Sequence, residues 1–339
     1  MLKKLTEAFG VSGFENEVRD IIYDEIKDFC DSVKIDSMGN LCAYKSAKGR
    51  QNKPKKILLS AHMDEVGFIV TDITEDGYLK FASVGGIEAK LMLSQRVRIN
   101  GIKGVIALKA VHLSTVEERE RLVKEDQLYI DIGTKDKKSA EKLVRKGDYA
   151  VFDSDYVEFG DYIKAKALDD RVGCAAAIEV LKKDWDVDIY CNFTVQEELG
   201  LRGVRPATRG INPDFALVLE GTVCNDLFGI PKHLRVTKSG DGPAISILDS
   251  ASKADAGLIK LLEESAQKHN VPYQYKAETA GGNDAGAICI TDGGVRTASV
   301  SVPCKYIHSP VSVMNKMDFE NYKKMICGFL EDMGGKKND

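Results

Sequence analysis

The chain has 339 residues, 43% of them hydrophobic and 29% charged, an ordinary globular composition with room for two domains or one large domain carrying an insertion. Forty-eight Lys+Arg against 52 Asp+Glu leave a formal charge of −4, and the lysines are scattered, so no nucleic-acid partner is expected. The charged start lacks the apolar run of a secretory signal, and no stretch approaches the ~18 apolar residues of a membrane span, so no membrane partner is expected.

In chain order, Ser12-Gly13-Phe14-Glu15 reads as a capping box ahead of a helix whose face carries Val18, Ile21, Ile22, Ile26 and Phe29. Two short strands follow at 33–36 and 41–44, around a turn at 37–40, and then a polar loop at 49–56. Ile57-Leu58-Leu59-Ser60-Ala61-His62-Met63-Asp64-Glu65 is an apolar run of buried-strand type that ends in a histidine and two carboxylates. From 71 to 163 the texture changes to short β-type runs between glycine and charged turns, with one helical piece at 139–144. This predicts a small, mostly β module of about 90 residues, inserted between two halves of an α/β domain.

Beyond it, 169–181 predicts a helix with an acidic first turn and a body of small residues. Strands at 189–195 and 215–219 end in Gln196-Glu197-Glu198 and Glu220-Gly221-Thr222. An amphipathic helix spans 256–269, and the glycine-rich loop at 280–287 enters a short helix. A strand at 297–303 leads to Tyr306-Ile307-His308-Ser309-Pro310, and a helix at 318–330 closes the chain. The loop lacks the G-x-x-x-x-G-K-[ST] pattern, which speaks against a nucleotide. Eight cysteines form no C-x-x-C pair, and Cys174, Cys191 and Cys289 lie in apolar runs. They read as reduced thiols of a cytoplasmic protein rather than zinc ligands.

Polar groups thus collect at the end of an apolar run or the start of a helix in five places, at His62/Asp64, Asp169, Glu197/Glu198, Glu220 and His308. Open α/β sheets gather their sites at such strand ends. A histidine–carboxylate set without thiolate suits zinc, cobalt or manganese in a hydrolytic site. Adjacent strand residues point to opposite faces, so if the strand continues Glu197 and Glu198 divide into one ligand and one general base. Asp170 reads as an acidic residue favoured by the helix dipole. His112, His233 and His269 lack comparable partners and read as structural or exposed.

Taken in order, His62-x-Asp64-Glu65, Ala167-Leu168-Asp169-Asp170-Arg171, Glu197-Glu198-x-Gly200-x-x-Gly203, Leu219-Glu220-Gly221-Thr222, Gly281-Gly282-Asn283-Asp284-Ala285 and Tyr306-Ile307-His308-Ser309-Pro310 resemble the dinuclear metallo-aminopeptidases called tetrahedral (TET) or glutamyl aminopeptidases. The resemblance spans almost the whole chain. It implies an α/β fold: a mixed-sheet zinc-peptidase (phosphorylase/hydrolase-like) catalytic domain at 1–68 and 163–339, with an inserted small β-barrel or PDZ-like domain at 69–162 that builds dimers. It also implies two divalent ions per subunit, zinc first with cobalt or manganese as alternatives. Asp169 would bridge them, His62 and Glu220 would complete one site, and Glu198 and His308 the other. Glu197 would be the general base and Asp64 would accept the second ring N–H of His62.

By the same resemblance the substrates are short peptides, cleaved at the first residue, and six dimers form a hollow tetrahedral dodecamer. Glu220 stands where some relatives carry Asp, and Asn283 where relatives often carry Thr or Ser. Glu65 has no assigned role. Three other readings stand beside this one. An endoglucanase, a label carried by some relatives, is disfavoured by the low aromatic content of 7% with a single Trp at 185. The adjacent carboxylates are also poorly placed to flank a glycosidic bond. A noncatalytic assembly protein is disfavoured by the intact ligand set, and a metallo-carboxypeptidase or deacylase is the nearer alternative.

Overall fold

The computed structural model describes residues 1–49, 53–277, 279 and 281–334. Arg50, Gln51 and Asn52 of the expected polar loop, and Ala280 of the glycine-rich loop, lie outside the described residues. The backbone of the larger unit is a mixed sheet of 11 strands. Its centre consists of four parallel neighbours, Asp188–Thr194, Lys56–His62, Phe215–Val223 and Thr297–Lys305. Antiparallel strands flank them, Leu41–Lys45 on one side and Ser312–Asn315 on the other.

These central strands read as unbroken apolar runs because both sheet faces are covered. Alternation sends Ile57, Leu59, Ala61, Leu217 and Leu219 into the main core. There they meet the helices Asn16–Ile26, Leu168–Leu181, Ala256–Lys268 and Lys316–Gly334. Leu58, Ala216 and Val218 point to the opposite face and pack under the short helices Val204–Thr208 and Ala285–Ile288. The small residues of Leu168–Leu181 let that helix approach the sheet closely. A Cβ on Gly173 would stand 2.7 Å from the main-chain oxygen of Leu219.

The inserted module is a closed six-strand barrel, Gly67–Ile73, Leu79–Val84, Tyr129–Asp131, Ile102–Ala107, Arg96–Ile99 and Tyr149–Phe152. It has its own core, in which Phe68 packs edge-on against Phe81 and Phe152, each at a centroid distance of 5.1 Å. Its strands begin at Gly67, two residues before the expected 69–162, and end at Phe152, ten residues short of its far bound. Val157–Phe159 and Tyr162–Ala165 already pair in the large sheet, because Tyr162 to Ala165 run antiparallel to Ser312–Asn315.

Two local expectations change. The helical piece expected at 139–144 is the shorter Lys137–Ala140, capped by Asp136. The expected capping box is absent, since the helix starts at Asn16 with no side-chain cap. Glu15 instead turns inward and accepts from the N–H of Gly13 at 2.6 Å and of Gln196 at 3.2 Å. Burial, with Asp64 nearby, pushes its carboxyl up to about 7.

Candidate active site

The four parallel strands deliver their carboxyl ends to one cleft of about 420 Å³, lined among others by His62, Asp169, Glu197, Glu198, Glu220 and His308. His62 closes its strand, and its Nδ1 lies 3.0 Å from the main-chain oxygen of Asp64. A carbonyl can only accept, so Nδ1 carries the hydrogen and Nε2 is left to face the cleft. There Nε2 is 3.3 Å from Asp169 Oδ1 and 3.7 Å from Glu220 Oε2.

The Asp64 carboxylate sits slightly farther from the ring, with Oδ1 at 3.5 Å from Nδ1. Its nearer partners are the N–H groups of Glu197, on Oδ1, and Glu198, on Oδ2, both at 3.0 Å. Asp64 therefore faces the His62 ring with both its main-chain oxygen and its carboxylate, and the carboxylate also receives the glutamate pair.

Strand alternation does not govern that pair. The strand stops at Thr194 and Gln196 takes a φ of +55°, so Glu197 and Glu198 follow a turn rather than a pleat. Both side chains consequently reach the cleft. Burial raises the Glu197 carboxyl well above its ordinary range, and the neighbouring Asp284, Glu198 and Asp64 add to it. Glu198 Oε1 is 3.1 Å from His308 Nε2.

Asp169 and Asp170 leave helical geometry, so Asp170 is not the simple first-turn acid that the sequence suggests. The Asp169 oxygens face different histidines, Oδ1 toward His62 at 3.3 Å and Oδ2 toward His308 at 3.8 Å. Gly221 makes room for this, because a Cβ there would meet the Asp169 Cα at 3.1 Å. Asp170 is fully buried and accepts from the N–H of His62 at 3.1 Å and of Gly173 at 2.9 Å. The dipole reading covers its contact with Gly173 alone.

Glu220 is buried on its strand, and its Oε1 has no hydrogen-bond partner among the described residues. Burial raises its carboxyl well above the usual range. A buried carboxylate with one orphaned oxygen, its other oxygen 3.7 Å from His62 Nε2, is what a cation ligand needs. Three sets of side chains each bring their ligand atoms within 4.8 Å of one another: His62 with Asp169 and Glu220, Asp169 with Glu198 and His308, and His62 with Glu197 and Glu198. The first two share Asp169. The donor set, imidazole and carboxylate without thiolate, fits divalent zinc, cobalt or manganese.

Four contributors carry little signal in the sequence. His308 Nδ1 is 2.9 Å from the main-chain oxygen of Gly86, which belongs to the loop after Leu79–Val84 of the barrel. No motif announces a carbonyl. Asp284 is buried and accepts from Thr194 Oγ1 at 2.7 Å and Ser60 Oγ at 3.3 Å. It thereby clamps two neighbouring strands just below His62, and burial lifts its carboxyl to about 6. Its place beside Asn283 in the glycine-rich loop was the available clue. Asn283 lines the cleft, with its side-chain oxygen held by the N–H of Ala285 and the Ser299 hydroxyl. Glu65, unassigned from sequence, is buried against Lys166 and Arg171.

Residues 39–325 match the family model described as M42 glutamyl aminopeptidase. A protein of Acetivibrio thermocellus named as a putative aminopeptidase is 41% identical over 329 residues, covering 96% of each chain. Among solved structures, an aminopeptidase of the archaeon Desulfurococcus kamchatkensis superposes with a TM-score of 0.92 at 34% identity, over 100% of this chain and 96% of the other. The TET1 peptidase of Pyrococcus horikoshii, whose title says it can assemble into a tetrahedron or a large octahedral shell, gives 0.85 at 34% identity, over 97% of this chain and 98% of the other.

Proposed function

The chain belongs to the M42 glutamyl aminopeptidases, metal-dependent hydrolases acting on peptide bonds, and from that premise we propose that it removes N-terminal residues from short peptides at a centre holding two divalent ions. One observation carries the two-ion reading: the two oxygens of Asp169 face His62 and His308 separately. His62, Asp169 and Glu220 would hold one ion, and Asp169, Glu198 and His308 the other, with zinc the first choice and cobalt or manganese alternatives. Ions bound there would supply Lewis acidity, polarising the scissile carbonyl and making water easier to deprotonate.

The chain's own groups do the rest. Glu197 takes the proton of the attacking water and returns it to the leaving amine, as its nearness to His62 and Glu198 allows. Asp64 keeps Glu197 and Glu198 turned inward through their N–H groups. The acids around the cleft attract the free α-amino group of a peptide, which limits cleavage to the first residue. The barrel, corresponding to the insertion at 69–162, joins subunits into dimers, and six dimers close a tetrahedral dodecamer. Residence in the cytoplasm is proposed on the thiols, since all eight cysteines are free.

A panel of aminoacyl-anilides, with cellulose and C-terminally blocked and free peptides as controls, tests the reading. The metal-loaded chain should release anilide and lose that activity with chelator. Release of sugar, or cleavage from the carboxyl end of peptides, would overturn it in favour of the glycosidase or carboxypeptidase alternative.

A further inference from the structure

Behind the cleft lies an ionic cluster that takes no part in the chemistry above. Glu65, Lys166 and Arg171 are 3%, 2% and 0% exposed. Lys166 Nζ donates to both Glu65 oxygens, at 2.6 and 2.8 Å, and to the main-chain oxygen of Ala8 at 2.8 Å. Arg171 donates to Glu65 Oε1 at 3.1 Å and to the main-chain oxygens of Leu5 at 2.5 Å and Gly10 at 3.3 Å. Backbone bonds from Glu65 N to Gly10 O and from Ser12 N to Glu65 O complete the junction. Three segments, 5–12, Glu65 and 166–171, therefore meet at one junction.

The chain order of this junction ties it to the ligands. Glu65 follows His62 by three residues, and Asp169 lies between Lys166 and Arg171. Holding Glu65 to both cations holds the His62 and Asp169 backbones at a set separation. Charge points the same way. Two buried cations face one carboxylate, and because unpaired charge is costly in a protein interior, further negative charge close by favours the arrangement. That charge stands across a void of about 10 Å³ whose walls include Lys166, Glu65, Asp169, Glu198 and His308.

We propose that Glu65, Lys166 and Arg171 are positioning residues of the metal centre, which fix Asp169 between its two histidines before the ions bind. This rests on the two-ion reading. The central substitution is Glu65→Gln, which loosens the junction and removes the carboxylate that both basic side chains share, so the Asp169 backbone loses its anchor.

The test is a cobalt(II) titration of the full-length chain and its variants, following stoichiometry, affinity and the visible absorption that reports ligand geometry. Wild type should take up two ions per chain. Glu65→Gln should weaken at least one of them about ten- to hundredfold, as loss of groups that orient ligands does, and change the absorption, while Glu65→Asp restores most of the affinity. Wild-type affinity and absorption in a folded Glu65→Gln chain, with only a lower melting temperature, would overturn the inference. If Glu65→Gln does not fold, Lys166→Arg decides: it keeps the charge and alters the geometry, and unchanged cobalt binding there overturns the inference as well. Failure of the wild type itself to bind two ions counts against the two-ion reading instead.

Discussion

At the scale of single residues, the groups that matter differ in what removing them should reveal. Glu197, the proposed general base, belongs to neither of the two ligand sets that share Asp169. Glu197→Gln should keep the metal content of the wild type and lose turnover by about 10²–10⁴-fold, the usual contribution of a positioned base; parallel metal analysis and anilide kinetics check it, and full activity would refute the assignment. His308→Ala should lose one ion and retain the other.

Proton linkage adds a pH dependence to His308. Burial depresses its imidazolium, yet the Glu198 carboxylate against it prevails and holds the group at about 9, above the ordinary 6.5. In the metal-free chain the stability from that raised value is fully present below about 6.5 and disappears as pH rises through about 9. A ligand must be neutral to bind an ion, so affinity of the Asp169–Glu198–His308 site should rise with pH across the same window. Zinc titrations at pH 6.5 and 8.5 measure this, and equal affinities would contradict it.

At the scale of elements, the seat of Leu168–Leu181 on the sheet is the demanding contact. Gly173 has no room for a Cβ against either Leu219 O or the Asp170 carboxylate, whose two oxygens would both lie at 2.5 Å. Gly173→Ala should destabilise the fold by roughly 1–3 kcal/mol, the usual penalty of overpacking, and also lower metal affinity, because Asp169 and Asp170 sit at the same junction. Chemical denaturation and metal titration report the two effects. The turn after Asp188–Thr194 is the second such element. It presents two adjacent glutamates to one cleft only because Gln196 reverses the chain and Asp64 receives both N–H groups.

At the scale of the whole molecule, the barrel has a separate core yet reaches into the site through Gly86. Phe68→Ala removes the ring at the centre of the barrel's aromatic cluster and should cost about 3–5 kcal/mol, as deletion of a buried phenylalanine does. Because the Gly86 carbonyl orients His308, the same variant should weaken binding at the His308 side more than at the His62 side. The proposed assembly predicts sedimentation of the intact chain at a multiple of its 37.3 kDa, with dimers lost first when the barrel surface is altered. A monomer at all concentrations would exclude the assembly.

The order of motifs was enough to single out His62, Asp169, Glu198, Glu220 and His308, which line one cleft in the structure, because each lies where an apolar run ends or a helix starts, and such ends are local events. The α/β texture and the β insertion were legible for the same reason, since hydrophobic periodicity is set by which faces a strand or helix buries. What local pattern could not convey was direction and distance. Strand alternation separated Glu197 from Glu198, and only the turn at Gln196 brought both into one cleft. Asp64 pointed at His62 in the sequence, and its carboxylate, 3.5 Å from that ring, also receives the N–H groups of both glutamates. Glu65, Lys166 and Arg171, together with the carbonyls of Ala8 and Gly86, meet the site from segments far apart in the chain. The sequence by itself determined which residues stand at the ends of the strands. The tertiary structure alone decided what each side chain faces there, because those contacts are closed by long-range packing and by backbone groups that carry no sequence signature.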